Sequence, residues 1–285
     1  MSGRSTRPCS TRPCRTAIRE LRDLADVAAA SGGDELAVWA VQGAGGALGP
    51  GVRAWALGGA VAVASPAASR RDRLALTCPD TSAIAGMWGE VRALAWFALR
   101  ECGPDYRPLG DPALIEAITG DPADPADPAG AVVPGLTLSG RFTWMSTSRL
   151  TAGPSQGRWL AVSEYGEVAR LLRAAHPSSY AMPGMAGVRR WAGIGDPESG
   201  RLLAVAADAW SAQTIGLIAG VATAVEARGS GLGERLCRFV AADLAARHGR
   251  VALMADDDNH AALGLYERLG FAARPVAAAA IRARP

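Results

Sequence analysis

The chain of 285 residues contains no lysine; all 30 of its basic residues are arginine. That absence excludes chemistry built on a lysine amine: Schiff-base and pyridoxal enzymes, Walker-type NTPases and protein kinases. Histidine is scarce, at positions 176, 248 and 260, and no H-E-x-x-H occurs. The five cysteines (9, 14, 78, 102, 237) form no C-x-x-C pair. With neither signature, no metal is expected. Long apolar runs are also missing, because the longest, Ala54 to Ala68, is short and broken by glycines. No membrane partner is therefore expected, and without a recognisable signal peptide the cytoplasm is the expected location. Charge of one sign is not in large excess either. A formal net charge of +3 gives no footprint for a nucleic-acid partner.

What is present is a composition 49% apolar, enough for one large or two modest cores. Residues 1–16 are arginine-rich and carry a tandem Ser-Thr-Arg-Pro-Cys repeat (Ser5–Cys9, Ser10–Cys14), which reads as a disordered tail. Residues 17–150 read as an N-terminal α/β domain. Helices are expected over 17–30, 82–99 and 111–118, with strands at 36–41, 52–57, 60–64, 74–77 and 136–145. Asp-Pro-Ala recurs three times over Asp121–Ala129, the composition of an extended linker. A new unit is expected from Arg158: strand 159–162, helix 164–175, strands 189–194, 202–210 and 215–223, a helix, strand 250–254, a helix from Asn259 and a final strand.

The richest stretch runs from Ile218 to Gly233. An apolar strand feeds Arg228-Gly-Ser-Gly231-Leu-Gly233, which opens an amphipathic helix. The free N–H groups of a helix's first turn, with its dipole, make an anion site, and Arg228 can add a bidentate phosphate contact. A P-loop would need lysine where Glu234 stands, and the glycine spacing does not fit G-x-G-x-x-G. A second motif follows after an intervening strand: Asn259, then Tyr266, then Gly270-Phe271, reading as a helix with a glycine stop.

Arg-x-x-Gly-x-Gly at 228–233 resembles the acyl-coenzyme A signature of the GNAT superfamily of N-acetyltransferases. Asn-x6-Tyr-x3-Gly-Phe at 259–271 is similar to the segment that packs beside the coenzyme thiol in that family. The resemblance covers residues 158–285. It implies a mixed α/β GNAT acyltransferase fold, a central, mostly antiparallel twisted sheet flanked by helices, preceded here by a second α/β domain that could be a degenerate GNAT-like copy. It implies that Val221, Ala222 and Thr223 hold pantetheine, with one of their N–H groups polarising the thioester carbonyl. Pyrophosphate contacts fall to Arg228, Gly229, Ser230, Gly231, Leu232, Gly233 and Glu234, although a carboxylate at 234 is unfavourable there unless it points away. Asn259 caps the last helix and contacts the coenzyme, and Tyr266 is the acid that protonates the thiolate.

The activity so implied is acetyl-CoA-dependent transfer of an acetyl group to a primary amine of a small molecule, by direct transfer in a ternary complex; a homodimer is left open. Two other readings stand beside it: a regulatory pseudoenzyme that binds acyl-CoA, and an acyltransferase for longer acyl groups or protein amines. The proton acceptor for the amine is unassigned. The strand before the glycine turn has no carboxylate, and Asp208, Glu164, Asp196, Glu198 and His176 are the nearest groups in sequence. The irregular stretch His176–Tyr180 and Met182–Met185 is expected on the acceptor side. Residues 158–285 alone are expected to bind the coenzyme.

Overall fold

Capping carboxylates fix where the N-terminal helices start. In the computed structural model, which describes residues 17–79, 84–119 and 135–281, strand β1 (Arg19–Leu21) precedes helix α1 (Leu24–Ala30). Asp23 caps α1 by accepting from the Asp26 N–H at 2.7 Å. Asp34 caps α2 (Glu35–Ala40) by accepting from Leu36 and Ala37 at 3.0 Å each. Both findings correct the sequence expectation. The helix predicted from residue 17 begins at 24, and the strand predicted over 36–41 is a helix. An apolar run that short carries no readable period, and the Asp34 cap decides it. The tail with Cys9 and Cys14, the Asp-Pro-Ala repeats and residues 82–83 of the predicted second helix lie outside the described residues.

Three antiparallel strands follow, β2 (Arg53–Leu57), β3 (Ala60–Ala68) and β4 (Arg71–Thr77). Helix α3 (Ile84–Cys102) crosses to β5 (Arg107–Gly110), which pairs parallel with β4. No strand was expected at 107–110. Helix α4 (Pro112–Thr119) and strand β6 (Leu136–Thr147) close this half. The C-terminal half runs β7 (Arg158–Trp159), α5 (Tyr165–Ala175), β8 (Val188–Gly195), β9 (Leu202–Ala209), β10 (Gly216–Thr223), α6 (Leu232–His248), β11 (Val251–Asp256), α7 (His260–Arg268) and β12 (Ala272–Ile281). Both halves thus share a core order: an antiparallel triplet, a crossover helix, a parallel partner, a helix and a last strand.

The last strands are exchanged. All twelve strands form one sheet in the order β1-β2-β3-β4-β5-β12-β6-β11-β10-β9-β8-β7. Strand β12 pairs with β5 of the other half, and β6 pairs with β11 of the other half. The two exchanged strands pair antiparallel with each other at the centre, from Ala272↔Ser146 to Ile281↔Leu136. The boundary drawn at 150/158 therefore separates β6 from the two strands it bridges, because β11 and β12 meet only through it.

The core is shared in the same way. One buried cluster contains Trp39 and Trp144 together with Trp191 and Trp210. The Trp39 indole donates to the Trp210 carbonyl oxygen at 2.8 Å and its ring lies 5.7 Å from that of Trp144. Charges on α2 reach the C-terminal half: Asp34 pairs with Arg274 at 2.5 Å, and Glu35 pairs with Arg250 at 2.7 Å.

Candidate active site

The site forms where β10 parts from β11. These parallel strands pair only at Gly216↔Val251 and Leu217↔Ala252. Beyond residue 217 the backbone of β10 no longer bonds to β11, and a register shift between Ala219 and Ala222 bulges its pairing with β9. Gly220 makes the bulge possible: its φ is +60°, and a Cβ there would come within 2.6 Å of the Trp191 ring. Val221, Ala222 and Thr223 follow this bulge, on the stretch whose β11-side backbone groups are unpaired.

A short 3-10 turn (Val225–Ala227) leads from β10 to α6. Gly229 and Gly231 have φ of +79° and +76°, and a Cβ at either would meet nothing within 4 Å. Glycine is thus demanded here by backbone conformation, not by crowding. Gly231 is the N-cap of α6 and no side chain caps that end, so the first-turn N–H groups of Leu232, Gly233 and Glu234 lack intrahelical acceptors. Gly233 lets α6 approach β10, since a Cβ would sit 3.2 Å from Thr223 Oγ1. Arg228 donates to the Ala175 carbonyl at 2.9 Å, tying the turn to the end of α5. The Ser230 hydroxyl donates to the Ala227 carbonyl at 2.5 Å. Glu234 points toward α7, where Arg268 Nε lies 3.0 Å from its carboxylate and Arg238 also pairs with it.

A cavity of about 300 Å³ opens beside the parted strands, at the lower end of small-ligand pockets. Its lining includes Val221, Asn259 and Tyr266 but not Ala222, Thr223 or residues 228–234. Asn259 caps α7, its Oδ1 accepting from the Ala262 N–H at 3.1 Å. Tyr266 is 5% exposed. Burial pushes its phenol well above its ordinary pKa, and the neighbouring Cys237 adds to the shift. The Cys237 thiol, itself pushed by burial to about 12, donates to the Tyr266 oxygen at 4.0 Å. The phenol's own proton is left for another acceptor.

Of the five groups considered as proton acceptors, only His176 lines this cavity. Its Nδ1 lies 3.4 Å from the Val221 carbonyl oxygen. A carbonyl only accepts, so His176 Nδ1 is the donor in this contact. Asp208 is fully buried in β9 and spent on structure, accepting from Arg190 at 3.1 Å and from the Ser211 hydroxyl at 2.6 Å. Glu164 is bound bidentately by Arg158, Asp196 holds a turn through Ser199, and Glu198 is exposed in that turn. Ser178, Ser179 and Tyr180 line the cavity, whereas Met182–Met185 do not. From the N-terminal half, Ser69, Arg73, Leu109 and Phe142 also form the wall. No motif marks them.

Residues 196–279 match the family model described as FR47-like protein. A GCN5-related N-acetyltransferase from Sphaerobacter thermophilus superposes with a TM-score of 0.51 at 16% identity, over 94% of this chain and 96% of that one. The chain thus has the fold of a GNAT acetyltransferase. A GCN5-related N-acetyltransferase from Kribbella flavida (18% identity, 82% of this chain, 90% of that one, TM-score 0.46) and a GNAT-family acetyltransferase from Colwellia psychrerythraea (11%, 92% and 98%, TM-score 0.47) are also similar. No curated protein matches in sequence. Among the described residues no group of three or more His, Cys, Asp or Glu is placed to hold a metal, and no helix is long and apolar enough to cross a membrane.

Proposed function

We propose that this GNAT chain transfers an acetyl group from acetyl-CoA to a primary amine of a small-molecule acceptor, directly, with both substrates bound. One observation carries the reading. The parting of β10 from β11 opens a cavity lined by Val221 and by the buried phenol of Tyr266, and β10 leads from it to the uncapped start of α6. These residues fit the coenzyme. The β11-side backbone of Val221, Ala222 and Thr223, the Val221 carbonyl held by His176 apart, suits the amides of a pantetheine arm. The positive-φ turn Gly229–Gly231 with the N–H groups of Leu232, Gly233 and Glu234 suits a pyrophosphate. Arg228 and Ser230 close the turn against α5 and the 3-10 turn, so their contribution is to hold its shape. Glu234 is neutralised by Arg268 and Arg238, which removes the objection to an acid at this place.

The coenzyme supplies an acyl thioester whose carbonyl is open to attack by an amine. A backbone N–H of the β10 bulge stabilises negative charge on that carbonyl oxygen. His176, oriented by the Val221 carbonyl, takes a proton from the acceptor's ammonium at Nε2, freeing the nitrogen lone pair that attacks the thioester carbon as the C–S bond breaks. Tyr266 gives its proton to the departing sulfur. Its raised pKa keeps it protonated through neutral and mildly alkaline pH. The N-terminal half is a second GNAT-like unit without the glycine turn: its β4-to-α3 connection, Asp80-Thr-Ser-Ala83, contains no glycine.

Calorimetric titration with acetyl-CoA, repeated on the Gly231→Glu variant, tests the reading. A carboxylate at the αL cap disturbs the turn and repels a pyrophosphate, so binding is expected in the natural chain and absent in the variant. No binding to the folded natural chain overturns the proposal. Comparison of acetyl with longer acyl thioesters checks the acyl preference.

A further inference from the structure

The hairpin between β3 and β4 is distorted in a way its local sequence does not require. Pairing slips between Ser65 and Ala68. Ala67, Ser69 and Arg70, none of them glycine, take left-handed φ of 54°, 55° and 61°. Such conformations cost free energy and persist where surrounding structure imposes them. The distorted hairpin carries Ser69 and Arg73 into the wall of the candidate active-site cavity, although both belong to the N-terminal half.

Arg73 is 5% exposed and has no carboxylate partner among the described residues. Its Nε is buried without a hydrogen bond. Its polar neighbour is the Tyr180 hydroxyl, while the other charges felt at its guanidinium are Arg107 and Arg71, both of its own sign. Burial, with those cations, lowers its pKa to about 10. The other deeply buried arginines are better provided for: Arg238 has Glu234 and Thr151, and Arg92 donates to the Ala117 carbonyl at 2.7 Å. A buried cation with no counter-charge is costly, and the cost is removed when an anion binds it.

We propose that Arg73 is a substrate-specificity residue that binds a carboxylate in the active-site cavity, so that the acceptor is an amine that also bears a carboxylate, as an amino acid does. A planar guanidinium with five donors matches a carboxylate bidentately, and the Tyr180 hydroxyl offers a further donor beside it. Asp256, which also lines the cavity, supplies opposite charge for an ammonium, so the cavity offers both signs to a zwitterion. The N-terminal half would thereby choose the acceptor while the C-terminal half holds the coenzyme. This inference rests on the acetyltransferase reading above. A carboxylate could also arrive on the acyl group, as in malonyl-CoA or succinyl-CoA, and the test separates the two sources.

Coenzyme A binding is measured first by calorimetry, because its absence counts against the acetyltransferase reading alone. Thiol release from acetyl-CoA is then followed with the twenty L-amino acids and with amines matched to them but lacking the carboxylate. In parallel, malonyl-CoA and succinyl-CoA are offered to the amines. Thermal midpoints are recorded with N-acetylamino acids, which report carboxylate binding without turnover. The expected result is turnover of one or more amino acids and little of the matching amines. Arg73→Gln is expected to lower kcat/KM for the amino acid by about 10- to 100-fold, mainly through KM, the range for losing a charge-assisted hydrogen-bonded contact. Its KM for acetyl-CoA should be unchanged, and Arg73→Lys should recover part of the loss. If only the dicarboxylic thioesters react, and do so through Arg73, the carboxylate belongs to the acyl group and the acceptor assignment falls. Amines equal to amino acids in the natural chain, or discrimination that survives in Arg73→Gln, overturn the proposal. So does a coenzyme-binding chain that turns over neither series and whose midpoint no N-acetylamino acid raises. Should Arg73→Gln fail to fold, the amino acid-to-amine ratio of the natural chain and the Arg73→Lys variant decide.

Discussion

Replacing Tyr266 with phenylalanine removes one oxygen from a buried polar group of the cavity and almost nothing else. The ring packs against Phe271 with centroids 5.6 Å apart, a contact phenylalanine preserves. The lost hydrogen bond is the long one from the Cys237 thiol, 4.0 Å, a weak donor at best, so the stability cost should stay below about 1 kcal/mol. Coenzyme affinity should not change, because the phenol lies outside the α6 turn. The rate should. A positioned general acid contributes about 10²- to 10⁴-fold, and kcat should fall by about that much with KM for acetyl-CoA nearly constant. The pH profile carries a second signature. Burial raises the phenol well above its ordinary value; an acid works while protonated, so the natural enzyme should show no alkaline fall in kcat from this group through mildly alkaline pH. The assay is steady-state thiol release across pH, with a denaturant midpoint for each variant. A kcat within twofold of the natural enzyme in a folded Tyr266→Phe variant would refute the acid role and turn Tyr266 into a packing residue.

His176→Ala should lower kcat, with partial rescue by added imidazole; unchanged turnover would show that water takes the proton instead. Gly231→Ala places a Cβ at an αL cap with nothing around it, so its cost should be conformational, about 1–2 kcal/mol, read by urea denaturation; a neutral effect would mean that the cap can relax. Asp208→Ala strips Arg190 and Ser211 of a fully buried partner and should destabilise by about 3–5 kcal/mol, and a small shift in the urea midpoint would contradict the structural role given to this carboxylate. Residues 158–285 expressed alone lack β6 between β11 and β12 and should aggregate or fail to bind coenzyme A. Co-expression with residues 17–150 should restore binding; a monomeric, coenzyme-binding fragment would show that the C-terminal half completes its own sheet.

The glycine turn was readable in the sequence because its backbone conformations at 229 and 231 strongly favour glycine, leaving a mark in residue type. The cap at Asn259 and the buried aromatic at Tyr266 were readable for a similar reason, since each demand falls on one position. The strand exchange left no such mark. Both β6 and β12 are competent strands, and nothing in their residues says which neighbour each takes. Strand β5 escaped notice because Arg107-Pro-Leu-Gly110 is too short and proline-interrupted to show alternation. Arg73 was invisible among 30 arginines, because its importance lies in what does not surround it. The missing counter-charge is a property of three dimensions.

The exchange of last strands also sets a timetable for the chain's birth. Strand β12 is made after every other described element, yet it seats against β5 of the first half, Ala277 beside Gly110. Until it emerges, the first half presents an unpaired strand edge, and β6 lacks one of its two neighbours. Such pairing across long sequence separation forms slowly and leaves edges exposed to other chains. The two halves therefore cannot mature one after the other on the ribosome as independent units would. Both are completed in a single late event, and chaperone demand during synthesis should concentrate on that interval.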